Sequence, residues 1–166
     1  MKTLILLSAI PGSGKSTWAK EYVKNHSNCY IVSSDDTRER VAGKVNCFTK
    51  EELVWKTFLD DINNYALSKE DVTVIADATN IKNEFREYYY KSTPGFDRHI
   101  LVTFDIPYNV CLLQNKMRKA ERVVPDYAMK RLSGQWEPVS DQVLSLYDEH
   151  IVVGTEFSPV LMGKKI

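Results

Sequence analysis

Seven consecutive residues, Pro11-Gly12-Ser13-Gly14-Lys15-Ser16-Thr17, carry the clearest chemical signal in the chain. Their types suit a phosphate-binding loop of the pattern G-x-x-x-x-G-K-[ST], set between a strand and a helix. Gly14, Lys15 and Ser16 fill the last three positions, while Ala9 stands at the first glycine. That departure is small, because Gly12 and Gly14 still let the backbone curl around an anion. Successive N–H groups and the positive helix end then point at a phosphate. Lys15 would reach the outer phosphates of ATP, and the Ser16 hydroxyl would ligate Mg²⁺. The expected nucleotide-binding set is therefore Gly12, Ser13, Gly14, Lys15, Ser16 and Thr17. The loop specifies a phosphoryl donor and leaves the acceptor open.

Asp35 and Arg38 follow the apolar pair Ile31-Val32 and lie three residues apart, on one face of a helix. Ligands gather at the C-terminal strand ends of an α/β sheet, which turns this segment towards the phosphate loop. A carboxylate there can take the proton of an attacking hydroxyl, and an arginine can hold an acceptor phosphate. Spacing alone serves equally well a helix-capping Asp35 and a solvated Arg38. Asp77 ends a third apolar run, the place for an acid that supports Mg²⁺ through water. Thr79 and Asn80 suit helix capping at least as well as a role in the site.

Between Gln114 and Arg131, Lys116, Arg118, Lys119, Arg122, Lys130 and Arg131 stand against Glu121 and Asp126. Six minus two is +4, in a chain whose formal net charge is zero. Two helices meeting at a basic turn before Pro125 would form a lid over ATP, at about residues 114–135. Arg118 and Arg122 would stabilise charge on its phosphates. A solvated charged face is the ordinary alternative for such a run.

The elements that must position these groups follow from the apolar pattern. Thr3 to Ser8, apolar from Leu4 to Leu7, reads as a central parallel strand, and a helix is predicted from Lys15 to Asn25. Cys29–Ser33 reads as a strand, followed by a helix from Asp35 to Ala42. Thr49 and Glu52 form a capping box before an apolar stripe through Val54, Trp55, Phe58, Leu59, Ile62 and Tyr65. Val72 to Ala76 is a buried strand ending on Asp77, and Asn80 is expected to cap a helix running to Tyr90. Ile100 to Phe104 is a strand, Val110 to Lys119 a helix, Pro125 to Leu132 a further helix, and His150 to Val153 a last strand. The alternation implies an α/β fold of the P-loop kinase type, with three layers. About five parallel strands have helices on both faces and a helical lid, in one domain over 1–166.

The bulk numbers fit this reading. A length of 166 residues suits one domain with a real core. Zero net charge argues against a protein that coats nucleic acid through electrostatics alone. Cys29, Cys47 and Cys111 form no C-x-x-C pair, so free thiols are expected rather than a disulfide framework or a zinc site. The run Leu4-Ile5-Leu6-Leu7 breaks at Ser8 and Pro11 and leads to a glycine-lysine turn instead of a cleavage site. No stretch approaches the ~20 apolar residues of a membrane span. A soluble, cytoplasmic protein is expected.

Taken together, these residues resemble the kinase domain of phage-type polynucleotide 5′-hydroxyl kinases, within the broader P-loop kinase family of AAA-like and zeta-toxin-like members. The likeness runs through Pro11 to Ala19, Asp35-Asp36-Thr37-Arg38, Asp77-Ala78-Thr79-Asn80, Phe104-Asp105-Ile106-Pro107 and the arginine-rich stretch closing on Val124-Pro125. It implies that Asp35 is the general base on the 5′-hydroxyl and that Arg38 contacts the acceptor phosphate. A lid arginine, Arg118 in preference to Lys119, would brace the transferring phosphoryl, with ATP and Mg²⁺ as cofactors. The acceptor would be a single-stranded 5′-hydroxyl end of DNA or RNA.

Ala78 is an insertion relative to the phage Asp-Thr-Asn, so Asp77 and Ala78 compete for the acid position. The phage enzyme's phosphatase motif, D-x-D-x-T, has no counterpart, so a phosphatase partner is expected to be another protein. Gln135-Trp136-Glu137-Pro138 resembles other members of the broader family. The same donor chemistry also serves a hydroxymethylated base in DNA, a nucleoside or a small metabolite alcohol. A third reading is an ATP-binding switch that phosphorylates nothing.

Overall fold

The computed structural model describes residues 1–155. Five parallel strands form one sheet in the order β2-β3-β1-β4-β5: β1 Lys2–Ser8, β2 Cys29–Ser33, β3 Val72–Asp77, β4 Arg98–Phe104 and β5 Glu149–Val153. β1 is central, paired with β3 from Lys2↔Val72 to Leu6↔Ala76 and with β4 from Thr3↔Arg98 to Ser8↔Thr103. A strand flanked on both sides and covered on both faces needs no polar alternation, which accounts for its unbroken apolar run.

Successive side chains of β1 enter opposite cores, as the two-residue period of a strand requires. Leu4 and Leu6 pack on one face with Phe58 and Ile62 of α3 (Glu51–Ser68), Tyr89 of α4 (Asn83–Lys91) and Val143 of α7 (Asp141–Leu146). Ile5 and Leu7 pack on the other with Ala19, Trp18 and Tyr22 of α1 (Lys15–Lys24). The remaining helices, α2 (Ser34–Ala42), α5 (Tyr108–Lys116) and α6 (Asp126–Gln135), gather with a 3₁₀ turn at Ala120–Arg122 around the C-terminal strand ends.

Several local expectations are corrected. Thr49 and Glu52 form no capping box: α3 begins after Lys50 with no side-chain cap, and the Thr49 hydroxyl lies 3.2 Å from Cys47 Sγ. Asn80 caps no helix. It has a left-handed φ of 42°, and its amide donates to Leu7 O at 2.9 Å, so α4 starts only at Asn83. The helix expected to reach Lys119 ends at Lys116, because the buried Asn115 turns inward to bond both N–H and C=O of Val124. That bracket closes the connection 117–124 into a loop. Helix α7 was not expected; Ser140 starts it by accepting from Val143 N at 3.2 Å.

Candidate active site

The phosphate loop hangs between β1 and α1 and takes its shape from two left-handed glycines. Gly12 has φ +82° and Gly14 φ +90°, conformations that cost a side-chain-bearing residue about 1 kcal/mol or more. Gly12 is doubly constrained, since a Cβ there would meet Cys111 O of α5 at 2.1 Å. Gln114, one turn along α5, donates to Gly12 O at 2.5 Å. The helix that leads into the basic segment is thus fastened directly to the loop. Ser13 Oγ is the one buried side-chain polar atom without a partner among the described residues, an orphan that suits a loop shaped for an anion.

The root of the loop is tied to the end of β3. Ala9 N donates to Thr79 O at 2.8 Å, and Ser8 Oγ donates to Asn80 O at 2.7 Å. Arg86 of α4, fully buried, completes the knot. Its guanidinium donates to Ser8 Oγ, Asn80 O, Ile81 O and Asn83 Oδ1, and lies 4.8 Å above the Trp136 ring. Burial holds its pKa down to about 10. Nothing in the sequence around Arg86 signals this role. The Trp136-Glu137 pair is part of the same structure, since Glu137 N donates to Ile81 O at 2.9 Å.

Ser16 and Asp77, 61 residues apart, meet here: Ser16 Oγ donates to Asp77 Oδ2 at 2.7 Å. Ala78 is buried in the core, so Asp77 is the acid of this strand end that reaches the loop. A hydroxyl and a carboxylate side by side are hard oxygen donors of the kind Mg²⁺ takes together with nucleotide phosphates. Among the described residues no cluster of three or more His, Cys, Asp and Glu could hold a metal alone. The donor set therefore fits a cation that arrives with phosphates. Lys15 makes no ion pair among the described residues. Burial lowers its pKa and the nearby Arg118 adds to this, while Asp77 and Asp35 oppose both.

At the end of β2, Ser33 rather than Asp35 caps α2, accepting from Asp36 N at 3.3 Å. Asp35 is left free to carry side-chain pairs. Its Oδ1 accepts from Arg38 Nη1 at 3.2 Å and its Oδ2 from Arg118 Nη2 at 3.2 Å. Arg122 lies 3.8 Å from the same carboxylate and bonds Asp36 at 2.9 Å.

Arg38 is not the solvated arginine that spacing allowed. Its side chain is 7% exposed, paired in bidentate fashion with Glu51 at 2.9 Å on both bonds, with the Phe48 and Trp55 rings at 4.8 and 5.8 Å. An acceptor phosphate would have to share this guanidinium with Glu51. Glu51 escaped sequence reading because it lies 13 residues away, across a loop. Of the two cations expected in a lid, Arg118 turns onto Asp35, whereas Lys119 is exposed. A cavity of about 340 Å³ lies between these groups, lined by Ser16, Thr17, Asp77, Arg118 and Arg122 among others.

The profile of a family described as AAA domain matches residues 4–139. Among solved structures, the chain is similar to a protein of the Pnkp1/Rnl/Hen1 RNA repair complex, at 24% identity and a TM-score of 0.69. That match covers 81% of this chain and 43% of the other, so the chain spans less than half of that protein. A fungal RNA kinase matches at 15% identity and TM-score 0.65, over 91% of this chain and 73% of its own. A gluconokinase from Sinorhizobium meliloti 1021 matches at 15% identity and TM-score 0.61, over 97% and 90%. The fold is the P-loop kinase fold, with five parallel strands and helices on both faces. Among the described residues no helix is long and apolar enough to cross a membrane.

Proposed function

Because the chain belongs to the AAA-domain family, matched over residues 4–139, we propose that its P-loop kinase site transfers the γ-phosphate of ATP to the 5′-hydroxyl end of DNA or RNA. The observation that carries this reading is the Asp35 carboxylate, held between Arg38 and Arg118 at 3.2 Å each beside the phosphate loop. A carboxylate aligned by two cations from different elements is a candidate base with its orientation fixed. A nucleotide switch that phosphorylates nothing has no use for it.

In this proposal Gly12 to Thr17 bind the ATP phosphates through the loop N–H groups, and Lys15 lies along the outer ones. Ser16 and Asp77 would hold Mg²⁺, which supplies charge neutralisation on the phosphates when bound. Asp35 takes the proton of the attacking hydroxyl. Arg118 moves its pairing from Asp35 to the transferring phosphoryl, with Arg122 beside it, and Arg38 orients Asp35 and faces the acceptor phosphate. The similarity to an RNA-repair protein and an RNA kinase is in keeping with a polynucleotide acceptor. The likeness to a gluconokinase gives the second reading, a small hydroxyl acceptor on the same donor half.

The test is transfer from γ-labelled ATP with Mg²⁺ to a 5′-hydroxyl oligonucleotide, a 5′-phosphorylated one, nucleosides and sugar acids in parallel. Label on the 5′-hydroxyl oligonucleotide alone is expected. Label on the blocked oligonucleotide would replace the proposal with base modification, and label on a small alcohol would replace it with metabolite phosphorylation.

A further inference from the structure

The Trp55 ring that flanks the Arg38 guanidinium also forms one wall of a second cavity, of about 700 Å³. Its other walls are the loop after β3, Phe85 and Tyr88 of α4, and Leu132 and Gln135 of the lid helix α6. Phe85 and Tyr88 stand three residues apart, on one face of α4. They remain 42% and 51% exposed, although both belong to residue types that bury when they can. Transfer of a phosphoryl group needs no such rings, so they belong to what the acceptor carries beyond its hydroxyl. Lys82 and Glu84 line the same cavity and cancel in charge. The cavity therefore favours a flat neutral face over an anion. A sugar acid brings a carboxylate and little flat surface, whereas a nucleobase brings a π face and polar edges. The Gln135 side chain, exposed and without an intramolecular hydrogen bond among the described residues, can meet such an edge.

We infer that this cavity receives the nucleobases adjoining the 5′-hydroxyl end, stacked on Phe85, Tyr88 and Trp55. The inference rests on the polynucleotide reading of the site and names what selects that acceptor. Asp35, Arg38 and Trp55 form a continuous path from the reacting hydroxyl to the stacked bases. Leu132 and Gln135 come from α6, so a seated base also contacts the helix that follows the Arg118 segment.

The test measures binding of a 3′-labelled 5′-hydroxyl tetranucleotide by fluorescence anisotropy. The unaltered protein is compared with Phe85→Ala/Tyr88→Ala, whose two rings are exposed enough to remove without opening the core. A second ligand lacks the bases of its first two nucleotides. Loss of about tenfold in affinity is expected in the double variant, the size of one stacked base. The abasic ligand should bind both proteins equally weakly, and ATP affinity should stay within about twofold. Tyr88→Phe should bind like the unaltered protein. Equal binding of intact and abasic ligands, no loss in the double variant, or no oligonucleotide binding at all would overturn the inference. If intact ligand binds through these rings but receives no phosphate from ATP, the cavity assignment stands and the kinase proposal falls. Phosphate transfer with an unchanged KM in the double variant does the reverse.

Discussion

The proposed donor and acceptor halves of the site are held by different kinds of force. The phosphate loop is shaped mainly by backbone: two left-handed glycines and main-chain ties to the end of β3, with the Gln114 side chain fixing Gly12 O. The Asp35 region is shaped by side-chain charges that converge from α2, the start of α3 and the lid. Backbone geometry is local and stiff, whereas ion pairs exchange partners when a new charge arrives. The difference teaches that the loop can be ready before ATP binds, while the Asp35 region is self-neutralised by its arginines and, in the proposed reaction, gives up Arg118 to the phosphates.

The sharpest test separates the two halves by substitution. Asp35→Asn should lower phosphate transfer by about 10²–10⁴-fold while ATP affinity by calorimetry stays within about threefold. Equal loss of ATP binding would show that the halves are not separable. Arg86→Leu should lower stability to chemical denaturation by about 3 kcal/mol, because it removes a fully buried guanidinium that donates to Ser8 Oγ, Asn80 O, Ile81 O and Asn83 Oδ1. It would also show how far the backbone-shaped half depends on one side chain. Gly12→Ala should weaken ATP binding by about tenfold or more, since its methyl cannot occupy the space of Cys111 O. Preserved circular dichroism would locate that loss in the loop.

Smaller effects bear on the ion pairs and on the sheet beneath them. Arg122→Ala removes a pair with the largely exposed Asp36. KM for ATP should rise about two- to fivefold at low salt, and the effect should shrink at high salt. His99 is buried against Thr93, and burial lowers its pKa. The unfolded chain then binds more protons than the native one as pH falls through the ordinary histidine range near about 6.5. Burying the neutral ring therefore costs nothing above that range and destabilises the fold in acid. The slope of Tm between about pH 5 and 7 should flatten in His99→Gln.

Much of this molecule was legible along the chain. The apolar run of β1, the glycines at 12 and 14, Lys15, Ser16, and the strand ending on Asp77 are local patterns. Each works through its neighbours in sequence, so spacing reveals it. Asp35 and Arg38 were legible as candidates, but a carboxylate in the first turn of a helix has the same spacing whether it caps or pairs. The choice came from Ser33 taking the cap and from Arg118, 83 residues away, arriving at Asp35. Arg86, Glu51 and Asn115 carry no signal of their own, because a charged or amide residue in a helix reads as surface until its neighbours are known. Sequence by itself determined a parallel α/β sheet with a phosphate loop at the end of its central strand, since strand burial and glycine backbone freedom are written residue by residue. Tertiary structure alone decided how Arg38 is held, which lid cation faces Asp35, and that an aromatic cavity opens beside them, because charge pairing and ring exposure depend on which distant elements the fold brings within a few ångströms.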